Sequence, residues 1–218
     1  MNTAVPALFL DRDDTLVRDA GYMSRPEQIE LLPGVAEALR DARAAGFRLY
    51  LVTNQSGIGR GYYSLDDALA CNRRLEELVF GSLRSQVARH KSDAGPETCD
   101  LRPETARQRG FDGVCIAPER PDEPSRYRKP SPAYLQERIA EDGLDPAASW
   151  MVGDKVSDLE CGLAAGVRTA LVARGSTGAP REDAAAFAAA RGIPVFDSFP
   201  AFVRDLLSRI PDGPEKKN

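Results

Sequence analysis

Apolar positions along this chain follow two rhythms that take turns. Short, mostly apolar runs at 5–10, 47–52, 111–117, 150–153, 167–173 and 193–196 have the length and composition of buried strands. Between them, apolar residues recur every three or four positions, which predicts helices. The first carries Val35, Leu39 and Ala42 and stops at Gly46. The second runs from Leu65 to Val87 behind a capping Ser64, with Leu69, Leu75, Leu78, Val79 and Leu83 on its apolar side. Ser131-Pro132 reads as an N-cap followed by proline at the first helical position, opening a helix to Asp142. Further helices are expected at 156–165, 181–191 and 199–209. Strand and helix alternate throughout, which predicts an α/β fold: a three-layer, doubly wound sheet of mainly parallel strands with helices on both faces. A single domain over 1–210 accommodates it, with a polar insertion at 88–110 and a flexible tail at 211–218.

Ligands of such sheets bind beyond the carboxyl ends of the strands, so the residues at those ends carry the functional argument. The first strand ends in Asp11-Arg12-Asp13-Asp14-Thr15, the second in Thr53-Asn54-Gln55-Ser56-Gly57 and the fourth in Gly153-Asp154-Lys155. Asp11 and Asp13, two apart, share a side in extended chain. Carboxylates at that range repel unless a cation lies between them, and Asp154 adds a third. Carboxylates, a backbone carbonyl and water form an oxygen-rich set suited to Mg²⁺. With the charge neutralised, Asp11 can serve as a nucleophile and Asp13 as general acid and base. Thr53 and Asn54 offer a hydroxyl, an amide and N–H donors to phosphoryl oxygens, and Lys129 offers fixed positive charge. Asp-x-Asp-x-Thr alone is equally the pattern of a capped turn; four polar clusters in order are not.

Composition removes the main competitors. The chain has 218 residues and a net charge of −4, so a general basic face for nucleic acid or anionic membrane is not expected. No apolar run approaches the length of a membrane span, and a cytoplasmic location is expected. The single histidine, His90, lies in a polar stretch, and the four cysteines are scattered without a C-x-x-C pair, which leaves little room for histidine or thiol catalysis. Arginine supplies most of the cations. Of the five lysines, Lys129 and Lys155 fall in motif-like segments, where a compact ammonium differs from a planar guanidinium.

Four segments together resemble the haloacid dehalogenase superfamily of aspartate-nucleophile phosphatases: Phe9-Leu-Asp-Arg-Asp-Asp-Thr-Leu16, Leu51-Val-Thr-Asn-Gln-Ser-Gly-Ile-Gly-Arg-Gly61, Arg128-Lys-Pro-Ser-Pro132 and Met151-Val-Gly-Asp-Lys-Val-Ser-Asp158. Within it the combination, with Gly21-Tyr22, is most similar to the D-glycero-D-manno-heptose bisphosphate and histidinol-phosphate phosphatases. The resemblance implies a Rossmann-like fold with a minimal cap. It implies Asp11 as nucleophile, Asp13 as general acid and base, and Thr53, Asn54, Gln55 and Lys129 around the phosphate. It also implies Mg²⁺ held by Asp11, the Asp13 carbonyl and Asp154. Lys155 and Asp158 would support the site, Asp158 either as a carboxylate behind the metal or as a solvated residue at a helix start. Arg60 and Arg128 are candidates for a second phosphate or sugar hydroxyls. The expected activity is Mg²⁺-dependent removal of one phosphate from a small sugar bisphosphate, by a monomer. Histidinol phosphate or a DNA 3′-phosphate is the alternative substrate, and a non-catalytic phosphosugar-binding protein is a remoter one.

The chain departs from that pattern in three places. Position 14 is Asp where the family usually has Gly; Asp tolerates left-handed backbone, but adds a carboxylate near the metal. The 117–128 loop, where relatives carry a Cys/His zinc site, retains Cys115 at its head and has no histidine, so no structural zinc is expected, and prolines 118, 121 and 124 would stiffen it. This loop is placed to cover the substrate. The 88–110 stretch is the third, expected at the sheet edge opposite the chemistry.

Overall fold

The structure is a computed structural model that describes residues 4–81 and 110–210. Six strands form one sheet: β1 (Ala7–Leu10), β2 (Arg48–Asn54), β3 (Gly113–Ala117), β4 (Trp150–Gly153), β5 (Arg168–Val172) and β6 (Val195–Phe196). Their order is β3-β2-β1-β4-β5-β6 and every pairing is parallel. The chain winds outward from β1 in both directions, so the crevice for ligands opens where β1 meets β2 and β4.

Both faces of the sheet are covered, as the mostly apolar runs require. Side chains of β1 alternate: Leu8 and Leu10 enter one core and Ala7 and Phe9 the other. The first core packs under α1 (Val35–Ala44), α3 (Leu65–Phe80) and α7 (Phe199–Ser208). The second lies under α4 (Ala133–Asp142) and α5 (Val156–Ala165), and a satellite cluster seats α6 (Glu182–Arg191) beside them. A short helix, α2 (Ser56–Gly59), follows β2 directly.

Two boundaries differ from the sequence reading. Helix α3 ends at Phe80, because Gly81 adopts φ 85° and returns its N–H to the Glu77 carbonyl; the apolar rhythm that continues to Val87 lies outside the described residues. The 88–110 insertion and His90 also lie outside them, apart from Gly110. At α4 the N-cap is Pro132 rather than Ser131, whose Oγ still accepts from the Ala133 N–H at 3.4 Å. Between β1 and α1 the chain makes only short bridges (Asp13 to Val17, Val17 to Leu31) and a 3-10 turn at Pro26–Gln28.

Candidate active site

Asp11 leaves β1 with its N–H on the Val152 carbonyl at 3.0 Å, which ties the end of β1 to β4. The Lys129 ammonium lies against its carboxylate, 2.5 Å from Oδ1, and also reaches Asp158 Oδ1 at 2.7 Å and the Val52 carbonyl at 2.8 Å. Three acceptors satisfy three N–H groups. Burial alone would raise the Asp11 pKa, but Lys129 and then Lys155 overcome it, so the carboxyl sits below its ordinary value. Lys129 is shifted the other way: burial disfavours its charge, yet Asp11 and Asp158 hold it protonated. Asp158 is fully buried, which excludes the solvated reading of this residue, and burial raises its pKa. Its other oxygen accepts the Lys155 N–H at 3.0 Å and so caps α5. That seat exists because residue 153 is glycine: a Cβ there would collide with the Asp158 carboxylate.

Asp13 is held separately. Arg12 grips both its oxygens, at 2.9 and 3.2 Å, and is itself buried and anchored by Asn72 Oδ1 at 3.0 Å. Gln55 donates to Asp13 Oδ2 at 2.9 Å and to Thr53 Oγ1 at 2.7 Å, while accepting from the Tyr63 hydroxyl at 2.5 Å. Because Thr53 Oγ1 accepts here, its own O–H is left as a donor. Asn54 is used differently from the expectation: its amide donates to the Lys129 carbonyl and accepts the Lys129 N–H, both at 3.0 Å. It positions the Lys129 backbone.

Asp154 is wholly buried at the end of β4. Burial, with the Asp11 charge beside it, pushes its pKa up to about 7. Arg181 donates to its Oδ2 at 2.8 Å, and Lys155 Nζ lies 3.8 Å from Oδ1. Carboxylate oxygens of Asp11, Asp154 and Asp158 lie within 4.8 Å of one another, and Asp11 Oδ2 and Asp154 Oδ1 are buried without a hydrogen-bond partner. Buried carboxylate oxygens that nothing donates to are costly unless a cation meets them. Hard oxygen donors suit Mg²⁺, so the residues present fit that ion.

An open cleft of roughly 210 Å³ lies beside the cluster, lined by Asp13, Asp19, Tyr22, Gln55 and Lys155 among others. Arg60 caps the exposed end of α2, and its charge opposes that of half-buried Arg128, whose pKa is lowered chiefly by burial. The 117–128 loop is braced by its own hydrogen bonds: Ser125 Oγ donates to Glu119 at 2.8 Å and accepts the Arg128 N–H at 3.0 Å, and Arg128 Nη1 returns to the Glu119 carbonyl at 3.0 Å. Cys115 is buried in the core. Arg120 and Arg126 are paired with acids, Arg120 with Asp122 and Glu123 and Arg126 with Glu137.

Asp14 has φ 62°, as its tolerance of left-handed backbone allows, but its carboxylate bonds to Ser176 instead of joining the cluster of Asp11, Asp154 and Asp158. Arg12, Tyr63, Asn72 and Arg181 were not identified from the sequence. Only Arg12 carried a signal, by its place between two motif carboxylates.

A family model described as HAD-hydrolase-like matches residues 126–201. The D-glycero-beta-D-manno-heptose-1,7-bisphosphate 7-phosphatase of Yersinia pestis is 36% identical over 187 residues, 83% of this chain and 85% of its own length. The alpha-anomer 7-phosphatase of Burkholderia mallei is 36% identical over 173 residues, 76% of this chain and 78% of its own. Among solved structures, the D,D-heptose 1,7-bisphosphate phosphatase of B. bronchiseptica, complexed with magnesium and phosphate, superposes with a TM-score of 0.71 at 22% identity, covering 94% of this chain and 99% of that one.

Proposed function

Since the chain belongs to the haloacid dehalogenase-like phosphatases, in the family of the heptose-1,7-bisphosphate 7-phosphatases, we propose that it removes the 7-phosphate of D-glycero-D-manno-heptose 1,7-bisphosphate, using Mg²⁺ and an aspartyl-phosphate. The observation that carries the mechanism is the unpartnered Asp11 Oδ2 facing the carboxylate cluster while Lys129 holds Oδ1. The low pKa of Asp11 keeps it ionised, as a nucleophile must be.

A carboxylate oxygen of Asp11 attacks phosphorus as the bond to the sugar oxygen breaks, and Asp13 gives the sugar oxygen its proton. Asp13 then takes a proton from water, whose oxygen attacks the phosphorus of the aspartyl-phosphate and releases phosphate and free Asp11. Arg12 and Gln55 aim the Asp13 carboxylate throughout. The Thr53 hydroxyl donates to a phosphoryl oxygen. Lys129, whose N–H groups already have acceptors, contributes charge beside the nucleophile rather than a direct phosphate bond. Asp11, the Asp13 carbonyl and Asp154 would hold Mg²⁺, which supplies Lewis-acid stabilisation of the charge gathering on the phosphoryl group. Arg60 and Arg128 grip the 1-phosphate at the far rim. The pairing of Arg120 and Arg126 with acids argues against a basic track for DNA along the 117–128 loop.

The test is phosphate release with Mg²⁺ from both anomers of the heptose bisphosphate, fructose bisphosphate, histidinol phosphate and a 3′-phosphorylated oligonucleotide. We expect a large preference for one heptose bisphosphate anomer, with the 1-phosphate retained in the product. Turnover of the oligonucleotide or histidinol phosphate at equal or higher kcat/KM would replace the substrate assignment.

A further inference from the structure

The one residue with a positive φ other than glycine among the described residues is Asp14, at 62°. A left-handed backbone is a cost for any side chain, and where one persists the surroundings hold it there. Here three hydrogen bonds do so. Asp14 Oδ1 accepts the Ser176 N–H and Oδ2 the Ser176 hydroxyl, each at 3.0 Å, and the Asp14 carbonyl accepts the Gly175 N–H at 2.9 Å. Gly175 fits only as glycine, since a Cβ would collide with the Leu32 side chain. The segment leaving β5 is thereby strapped onto the loop that follows the nucleophile.

Five residues beyond Ser176, the same segment delivers Arg181. Its Nε donates to Asp154 Oδ2 at 2.8 Å, and its Nη2 lies 4.0 Å from Asp14 Oδ2. The Asp14 carboxylate therefore meets both ends of the strap. The effect at the cluster is orientational: with Oδ2 of Asp154 engaged by Arg181, Oδ1 is the oxygen left unpartnered on the side of Asp11. Groups behind a metal ligand that fix its orientation commonly matter tenfold or more for metal affinity.

We propose that Asp14 is a positioning residue that seats the 174–181 strap and, through Arg181, fixes the Asp154 carboxylate for the cation. This rests on the reading of Asp154 as a cation ligand. Glycine at position 14 would keep the carbonyl bond and lose both carboxylate bonds, so the side chain does work here that the backbone alone cannot.

The experiment compares Asp14→Gly, Asp14→Asn and Arg181→Ala with the unaltered protein. Two readouts need no substrate: hydrogen exchange of the Ser176 amide in metal-free protein, and Mg²⁺ affinity by titration calorimetry. A third is KM for the sugar bisphosphate at saturating Mg²⁺. Glycine is at ease at this φ, so Asp14→Gly is expected to fold. It should speed Ser176 exchange by about tenfold or more and weaken Mg²⁺ binding by about tenfold, with KM unchanged. Asn, which also tolerates this backbone and can accept from the Ser176 N–H, should restore most of both. Arg181→Ala should weaken Mg²⁺ binding while leaving Ser176 exchange as it was. Unchanged Ser176 exchange or unchanged Mg²⁺ affinity in Asp14→Gly overturns the proposal. Tighter Mg²⁺ binding in Arg181→Ala also does, since Arg181 would then be a competing cation. Absence of Mg²⁺ binding by the unaltered protein overturns the cation reading and this one with it, whereas the exchange readout, taken without metal, fails only if the strap itself is wrong.

Discussion

Arg128 and Lys129 are neighbours in the chain and belong to different kinds of structure. Lys129 is 3% exposed, and its ammonium bonds to Asp11 and Val52, 118 and 77 residues away. Arg128 is half-exposed, and its bonds reach Ser125 and Glu119, three and nine residues away. The chemical half of the cleft is thus assembled from distant strand ends and closed off from water. The recognition half is a loop that braces itself. The side-chain bonds of Arg128 stay within the loop and do not reach the buried carboxylates. In the buried half each charge is another's partner, and loss of one strands the rest.

The sharpest way to break the comparison is Asp11→Asn. Turnover should fall by about a thousandfold or more with circular dichroism unchanged; appreciable residual activity would remove Asp11 from the nucleophile's role. A smaller effect separates the halves by pH. In metal-free protein Asp154 keeps its proton up to about pH 7, while its ordinary carboxyl value is 3.8. The folded state therefore binds the extra proton between those values, and raising the pH through that window removes stability, by on the order of 3 kcal/mol. Denaturant unfolding in chelator at pH 5 and pH 8 should show the fall, and Asp154→Asn should flatten it; an equal slope in both proteins would contradict it. The smallest effect belongs to the loop. Arg128→Ala should raise KM by about tenfold for the bisphosphate, with little change in kcat or in unfolding temperature. A drop in kcat instead would move Arg128 into the chemical half.

Legibility in the sequence divides along the same line. Six apolar runs and the helices between them were readable because parallel strands buried on both faces need mostly apolar stretches. Asp11, Asp13 and Asp154 were legible because they follow the ends of β1 and β4, and Lys129 because of the Arg128-Lys-Pro-Ser-Pro132 segment in the loop after β3. Arg12 was passed over as the middle of a motif, since its burial depends on Asn72 in α3. Arg181 carried no signal at the start of its expected helix, since its partner lies 27 positions back. Asn54 was found with the wrong task, because spacing places a side chain near a ligand but does not say that the Lys129 backbone will claim it first. The end of α3 was signalled by Gly81 and overruled by apolar residues that continue past it.

The position of β1 has a consequence for synthesis. Leu10 pairs with Leu51 on one side and with Val152 on the other, so a ribosome delivers one neighbour early and the other only after about a hundred more residues. Through that interval β1 has one bare edge, an invitation to pair with a foreign strand. Asp11 is translated well over a hundred residues before its partners Lys129, Asp154 and Asp158. A nascent chain carrying the entire first motif therefore holds Asp11 without its ammonium partner and without the other two carboxylates until the second half arrives.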